Sequence, residues 1–73
     1  MLKCQVIGSK AEVTLSGKDF MEDLDRLKDA IEMEDRIFDP QRNVWTISNL
    51  QRYEHVNFIA NALKTARLQI PLF

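Results

Sequence analysis

The sequence predicts an α+β domain with elements in the order ββαββα, two β-hairpins each followed by a helix. Three observations lead to this prediction. Apolar and polar residues alternate on both sides of Gly8-Ser9, a second pair of strand-like stretches flanks Asp39-Pro40, and two segments carry apolar residues at helical spacing. Because hairpins join antiparallel strands, we expect a mostly antiparallel sheet with both helices on one face.

The first hairpin is predicted over residues 2–15. On each strand apolar side chains alternate with polar ones, the period of two that is typical of a half-buried strand. Gly8 begins the two-residue turn, where its positive φ gives a type II′ turn. Cys4 falls on the inner face, so we expect a reduced, structural thiol. As the only cysteine, it has no partner for an internal disulfide.

Both helices are predicted from apolar residues at helical spacing. The first is expected over residues 17–32, with Ser16 as its N-cap. The second is expected after Ser48, where Gln51 completes a capping box. The helical residues expected to form the core with the sheet are Phe20, Leu24, Leu27, Ile31, Val56, Ile59 and Leu63.

The second hairpin is predicted to have strands at 36–38 and 44–47. Between them, Asp39 is expected to form an Asx-turn, and Pro40 fixes the φ of a type I turn. Trp45 is the only tryptophan and lies in the second of these strands. Two interpretations of it remain open, either the largest core residue of a small domain or a partly exposed functional residue.

Length and composition restrict the function classes. The 73 residues are 45% hydrophobic and 29% charged, which is typical of one globular domain, here with an apolar tail at 69–73. No apolar run approaches the roughly 20 residues that span a bilayer, and the N-terminus lacks an apolar signal core, so we expect a cytoplasmic protein with no membrane partner. The two glycines do not form a phosphate-binding loop, and His55 beside Glu54 does not have metal-ligand spacing. The sequence therefore predicts no enzyme, no cofactor and no metal site.

Charge is distributed unevenly along the chain. Residues 1–35 contain five basic and nine acidic side chains, whereas residues 36–73 contain five basic and two acidic ones. The carboxylates expected on an outer face of helix one are Asp19, Glu22, Asp23, Asp25, Asp29 and Glu32. This acidic face is either a solvated surface or a docking site for a basic protein, and the apolar tail is a second candidate surface for a protein partner.

The basic residues of the second half surround the hairpin and form a candidate binding site. Arg36, Arg42 and Arg52 surround Trp45, and His55 is expected one helical turn beyond Arg52. Arg52 has no acidic residue at position 48 or 56, and Arg42 is expected to project from a loop. Arginine makes bidentate contacts with phosphate, and an exposed aromatic such as Trp45 stacks on a base or fills a partner's pocket. DNA or RNA is therefore one candidate partner.

The hairpin resembles that of small accessory domains in superfamily 2 helicases, including the HARP domain of annealing helicases and N-terminal modules of some phage and bacterial helicases. The resemblance covers residues 36–47 and the order of elements. Its matching residues are Phe38, Asp39, Pro40, Arg42, Val44, Trp45 and Thr46. It implies a non-enzymatic module that engages nucleic acid through the 36–45 hairpin and the start of helix two. The alternative is a protein-interaction or homodimer-forming domain with no nucleic-acid site.

Overall fold

The structure, a computed structural model that describes residues 1–68, contains one four-stranded sheet and two α-helices. The strands are β1 (Leu2–Ile7), β2 (Lys10–Leu15), β3 (Arg36–Asp39) and β4 (Val44–Ile47), and the helices are α1 (Phe20–Ala30) and α2 (Asn57–Leu68). Two 3₁₀ helices, Met33–Asp35 and Leu50–Arg52, lie just before β3 and after β4. The prediction of an α+β fold in the order ββαββα is confirmed. The predicted apolar tail, 69–73, lies outside the described residues.

Neighbouring strands are all antiparallel, in the spatial order β1-β2-β4-β3. The register places Cys4 opposite Val13 and Val13 opposite Trp45, so these three residues share one face of the sheet. Glu12 lies opposite Thr46 on the other face. This order leaves β1 and β3 at the two edges of the sheet.

Both helices pack on the face that carries Val13, which is named the helix face here, and the opposite side is the open face. α1 packs against β2, and α2 packs against β1. One buried cluster joins the sheet to both helices, which confirms that the core lies on a single face. Its least exposed members are Ala11, Val13, Leu27, Ile31, Ile47 and Ile59.

The predicted set of helical core residues is confirmed except at the first residue of α1. Leu27, Ile31 and Ile59 are buried, each with at most 1% of its surface exposed. The half-buried residues that pack around them are Leu24, Val56 and Leu63. Phe20 is 38% exposed, because it is the first residue of α1 and lies at the margin of the helix–sheet contact.

Both predicted helix starts are wrong. Ser16 does not cap α1, because Gly17 takes a φ of 86° and turns the chain before the helix begins. Ser48 does not cap α2, because Asn49 takes a left-handed φ of 55° and leads into a 3₁₀ helix. A left-handed residue interrupts a right-handed helix at its first turn. A 3₁₀ helix and a turn therefore lie between β4 and α2.

One member of the predicted acidic face points inward. Asp23 is only 6% exposed, and its carboxylate lies 3.4 Å from the amino group of Met1 and 3.9 Å from Arg26. The prediction that Asp23 belongs to an outer face is therefore wrong. The carboxylates that do lie on the surface are Asp19, Glu22, Asp25, Asp29 and Glu32.

Both hairpin turns have the predicted local chemistry. Gly8 has a φ of 63° while Ser9 does not have a positive φ, as a type II′ turn requires. In the second hairpin a carboxylate oxygen of Asp39 accepts the backbone N–H of Gln41 at 3.0 Å, which confirms the Asx-turn. Asn43 then takes a left-handed φ of 56°, a conformation that asparagine tolerates better than most residues.

The core arrangement predicts unequal effects of truncating helical residues. Leu27→Ala and Ile59→Ala should each lower the free energy of unfolding by roughly 2–5 kcal/mol, because each leaves a cavity in the buried cluster. Phe20→Ala is the matched control and should have a much smaller effect, since its side chain is 38% exposed. Urea denaturation followed by circular dichroism measures all three, and equal losses would contradict the helix faces described here.

Candidate binding surface at the second hairpin

A buried carboxylate lies at the base of the second hairpin. Asp35 is 3% exposed and accepts hydrogen bonds from Asn49 Nδ2 at 2.7 Å, from Arg52 Nη1 at 2.8 Å and from the hydroxyl of Tyr53. Its backbone carbonyl accepts the N–H of Ser48 at 2.8 Å. Asp35 precedes β3 whereas all four partners follow β4, so these contacts tie the two ends of the hairpin together.

These donors keep the Asp35 carboxylate ionised. The hydrogen bond from Tyr53 is the largest cause that lowers the pKa of Asp35 from its ordinary 3.8, followed by the hydrogen bond from Asn49. Burial raises the pKa of Asp35, whereas the charge of Arg52 lowers it further. Burial, together with the hydrogen bond to Asp35, raises the pKa of Tyr53 above its ordinary 10.0. The buried pair is therefore a carboxylate facing a neutral phenol.

The guanidinium of Arg52 is bound by residues of this cluster. Besides Asp35, its Nη1 contacts Glu34 Oε1 at 3.4 Å, and its guanidinium lies 5.8 Å from the centre of the Tyr53 ring. Arg52 has no acidic residue at helical spacing, but the fold brings Glu34 and Asp35 to it. Removing Arg52 from Asp35 would leave a buried carboxylate with one donor fewer, which is unfavourable.

Arg42 lies on the opposite side of the sheet. Its guanidinium forms a bidentate ion pair with Glu12 on the open face, with Nη1 3.0 Å from Oε2 and Nη2 2.8 Å from Oε1. The hydrogen bond from Arg42 is the largest cause that lowers the pKa of Glu12. Arg42 lies in the turn, as expected, and the pairing of β2 with β4 brings Glu12 to it as an acidic partner.

Arg36, Phe38 and Trp45 form a contiguous group on the helix face, named the aromatic platform here. The rings of Phe38 and Trp45 lie opposite each other on β3 and β4, with centroids 5.1 Å apart and planes tilted by 49°. The Cζ atom of Arg36 lies 5.7 Å from the centre of the Trp45 ring. Its Nε donates to the carbonyl of Ile31 at the end of α1, at 3.2 Å.

The platform is partly open to solvent. Trp45 packs against the buried cluster but is only half-buried, and Phe38 is 41% exposed. Trp45 therefore combines the two interpretations that its sequence position left open, a core contact on one side and an accessible surface on the other.

The predicted site residues do not form a single cluster. The sheet separates Arg42 on the open face from Arg36 and Trp45 on the helix face. Arg52 lies at the base of the hairpin, in a 3₁₀ helix rather than at the start of α2. His55 is exposed in the turn before α2, so it does not lie one helical turn beyond Arg52.

Three residues that shape this surface were absent from the predicted site. Phe38 had a signal in the sequence, because it stands just before the Asp39-Pro40 turn and faces Trp45 across the hairpin. Glu12 and Asp35 had none. Glu12 is 30 residues from Arg42, and the side-chain donors to Asp35 are 14 to 18 residues away. Such pairs have no characteristic spacing along a chain.

A separate groove of about 390 Å³ lies between β1 and α2. Its lining residues include Cys4, Val6, Phe58 and Ala62, and none of the lining residues belongs to the second hairpin. Burial raises the pKa of the Cys4 thiol to about 11, so the thiol is protonated at neutral pH. This agrees with the prediction of a structural cysteine.

Over residues 1–68, no group of three or more His, Cys, Asp or Glu side chains is arranged to hold a metal ion. In the same part of the chain, none of the helices has the length and apolar character needed to cross a membrane. Comparison of the chain with protein-family models, curated proteins and solved structures gives no match. The resemblance of the hairpin to helicase accessory domains therefore stays a prediction.

The Asp35 cluster predicts acid-sensitive stability. Its folded-state pKa lies below 3.8, so the stabilisation is present above that value and is lost as pH falls through the folded pKa. In thermal melts Asp35→Asn should have a lower melting temperature than wild type at neutral pH, and the difference should shrink towards about pH 3. Glu34→Gln removes the exposed neighbouring carboxylate and is the matched control. Equal effects of both substitutions would argue against a special role for Asp35.

Burial of Cys4 predicts slow chemical modification. Because thiolate is the reactive form and the raised pKa makes it scarce, a disulfide reagent should label the native protein at least about tenfold more slowly than the urea-unfolded protein at neutral pH. The increase in absorbance of the released reagent measures both rates. Equal rates would contradict the placement of Cys4 against α2.

Proposed function

We propose that this domain is a non-enzymatic module that binds single-stranded nucleic acid at the aromatic platform. The observation that supports this proposal is the contact between two partly exposed aromatic rings and a guanidinium, with Phe38 5.1 Å and Arg36 5.7 Å from the Trp45 ring. Bases of any sequence stack on such rings, and arginine adds cation–π and phosphate contacts. Proteins that bind single strands without reading their sequence use this combination.

The position of the platform gives a ligand access. β3 is an edge strand, and the Phe38–Trp45 pair is next to the Asp39–Val44 pair that closes the turn. A base can therefore approach the rings from the sheet edge near the tip of the hairpin. The Asp35 cluster holds the base of the hairpin in place, so the rings lose little further freedom when a ligand binds.

The charges around the platform restrict the path of a bound strand. Exposed carboxylates on α1 and at its two ends lie on the same side of the sheet as the platform, and they repel phosphate. Arg36 supplies positive charge beside the rings, whereas Arg52 is held by Asp35. We therefore expect the strand to cross the edge of β3 and the tip of the hairpin, away from α1.

A protein partner is the second candidate. Apolar side chains are exposed on β3 and just before it, with Met33 at 76%, Ile37 at 65% and Phe38 at 41%. An edge strand with exposed apolar side chains is a template for the addition of a strand from another chain. In this alternative the same edge docks an extended segment of a protein, and the domain has no nucleic-acid site.

The proposed function predicts that oligothymidine binds the platform and quenches the fluorescence of Trp45, the only tryptophan. Binding of a fluorescein-labelled oligothymidine, followed by anisotropy, should weaken as salt is raised, because phosphate contacts release counterions. Phe38→Ala should weaken it by about fivefold or more, the effect of losing one stacking ring.

Ile37→Ala is the matched control for that substitution. Ile37 neighbours Phe38 on the same strand but lies on the open face, so its truncation should leave affinity unchanged. If the wild-type domain binds no oligonucleotide even at low salt, the nucleic-acid proposal is refuted and the protein-docking alternative takes its place. Binding that Phe38→Ala and Ile37→Ala reduce equally would refute the platform as its location.

A further inference from the structure

We propose that Glu12 sets the affinity of the hairpin for nucleic acid by competing with phosphate for the guanidinium of Arg42. This inference rests on the proposed function and adds a residue that neither the platform nor the turn contains. Glu12 lies on β2, 30 residues before Arg42 in the chain, and reaches it only because β2 is the neighbour of β4.

The geometry of the pair is that of arginine with a bidentate anion. Nη1 and Nη2 of Arg42 each donate to a different oxygen of the Glu12 carboxylate, at 3.0 and 2.8 Å. Phosphate is recognised by the same two-pronged face of the guanidinium. One anion therefore excludes the other from this face, and Glu12 occupies the position that a phosphate would take.

Arg42 can exchange Glu12 for another anion, whereas Arg52 is held by its pair with Asp35. Arg42 is 56% exposed and its partner Glu12 keeps 16% of its side chain exposed on the open face, whereas Asp35, the partner of Arg52, keeps only 3%. Surface ion pairs contribute little to stability, and a released Glu12 can be solvated. Gln5 lies opposite Glu12 on β1 and also lowers the pKa of its carboxylate, so Arg42 is not the only group that favours the ionised form. Arg42 is therefore the arginine of the hairpin that can leave its carboxylate partner and bind a phosphate instead.

Arg42 can reach the platform around the tip of the hairpin. It belongs to the turn 40–43, and the Phe38–Trp45 pair is separated from that turn by a single residue pair. When a base stacks on the platform, its neighbouring phosphates pass the tip of the hairpin. A guanidinium released from Glu12 can then swing around the tip and contact one of them. While the Glu12 pair persists, the bound strand lacks this contact.

Glu12→Gln tests the competition, because it keeps the size of the side chain and removes the charge that holds Arg42. Affinity for labelled oligothymidine should rise by about two- to fivefold, the range expected for release of one surface ion pair. The plot of log affinity against log salt should steepen by about one unit, as for one added phosphate contact. Adding Arg42→Ala to Glu12→Gln should abolish both changes. Glu22→Gln, the same charge change on the exposed face of α1, is the control for general electrostatics.

The outcomes separate this inference from the proposed function. A wild-type domain that binds, with Glu12→Gln no tighter than Glu22→Gln, overturns the role of Glu12 and leaves the platform intact. A gain that persists in the Glu12→Gln, Arg42→Ala double variant also overturns it, because the gain then does not pass through Arg42. If neither wild type nor Glu12→Gln binds at low salt, both proposals fail. Circular dichroism of each variant verifies that the fold is retained.

Discussion

The buried carboxylate of Asp35 is the constraint on which the second half of the molecule depends. A charge in the interior must be matched by hydrogen-bond donors, since an unmatched one is strongly unfavourable. Asn49, Arg52 and Tyr53 supply those donors within five consecutive residues. To reach Asp35 the chain turns through a left-handed residue at position 49 and forms a 3₁₀ helix. The delayed start of α2 follows from the need to satisfy this one group.

The same constraint positions the hairpin. With its two ends joined at Asp35, β3 and β4 are held at one edge of the sheet, and the rings of Phe38 and Trp45 meet across them. Arg36 is fixed from the other side, because its side chain donates to a carbonyl at the C-terminal end of α1, where the helix dipole favours a cation. The aromatic platform is therefore assembled by contacts with both the hairpin base and the first helix.

Internal pairing divides the arginines of the hairpin into different roles. Arg52 completes a buried cluster and is structural, Arg36 lies against an aromatic ring, and Arg42 forms a surface ion pair. A count of basic residues treats the three as equivalent. Their differences arise from the burial of the partner, because a buried carboxylate cannot be abandoned whereas a surface carboxylate can be hydrated. The three arginines therefore differ in how strongly each is held by its present contacts.

The order of elements, both hairpin turns and the buried centre of the helix stripes were determined by the sequence alone. Each depends on residues close in the chain, such as Gly8 in its turn, Asp39 bonding Gln41 and the helical spacing of Leu27 and Ile31. Only the tertiary structure decided where α2 begins, that Asp23 points inward, and which acid each arginine meets. Those outcomes depend on partners many residues apart, as Glu12 is from Arg42, and the fold alone brings such residues together. Local patterns determine turns and helix faces, whereas the pairing of charges follows the arrangement of strands, which no short stretch of the chain encodes.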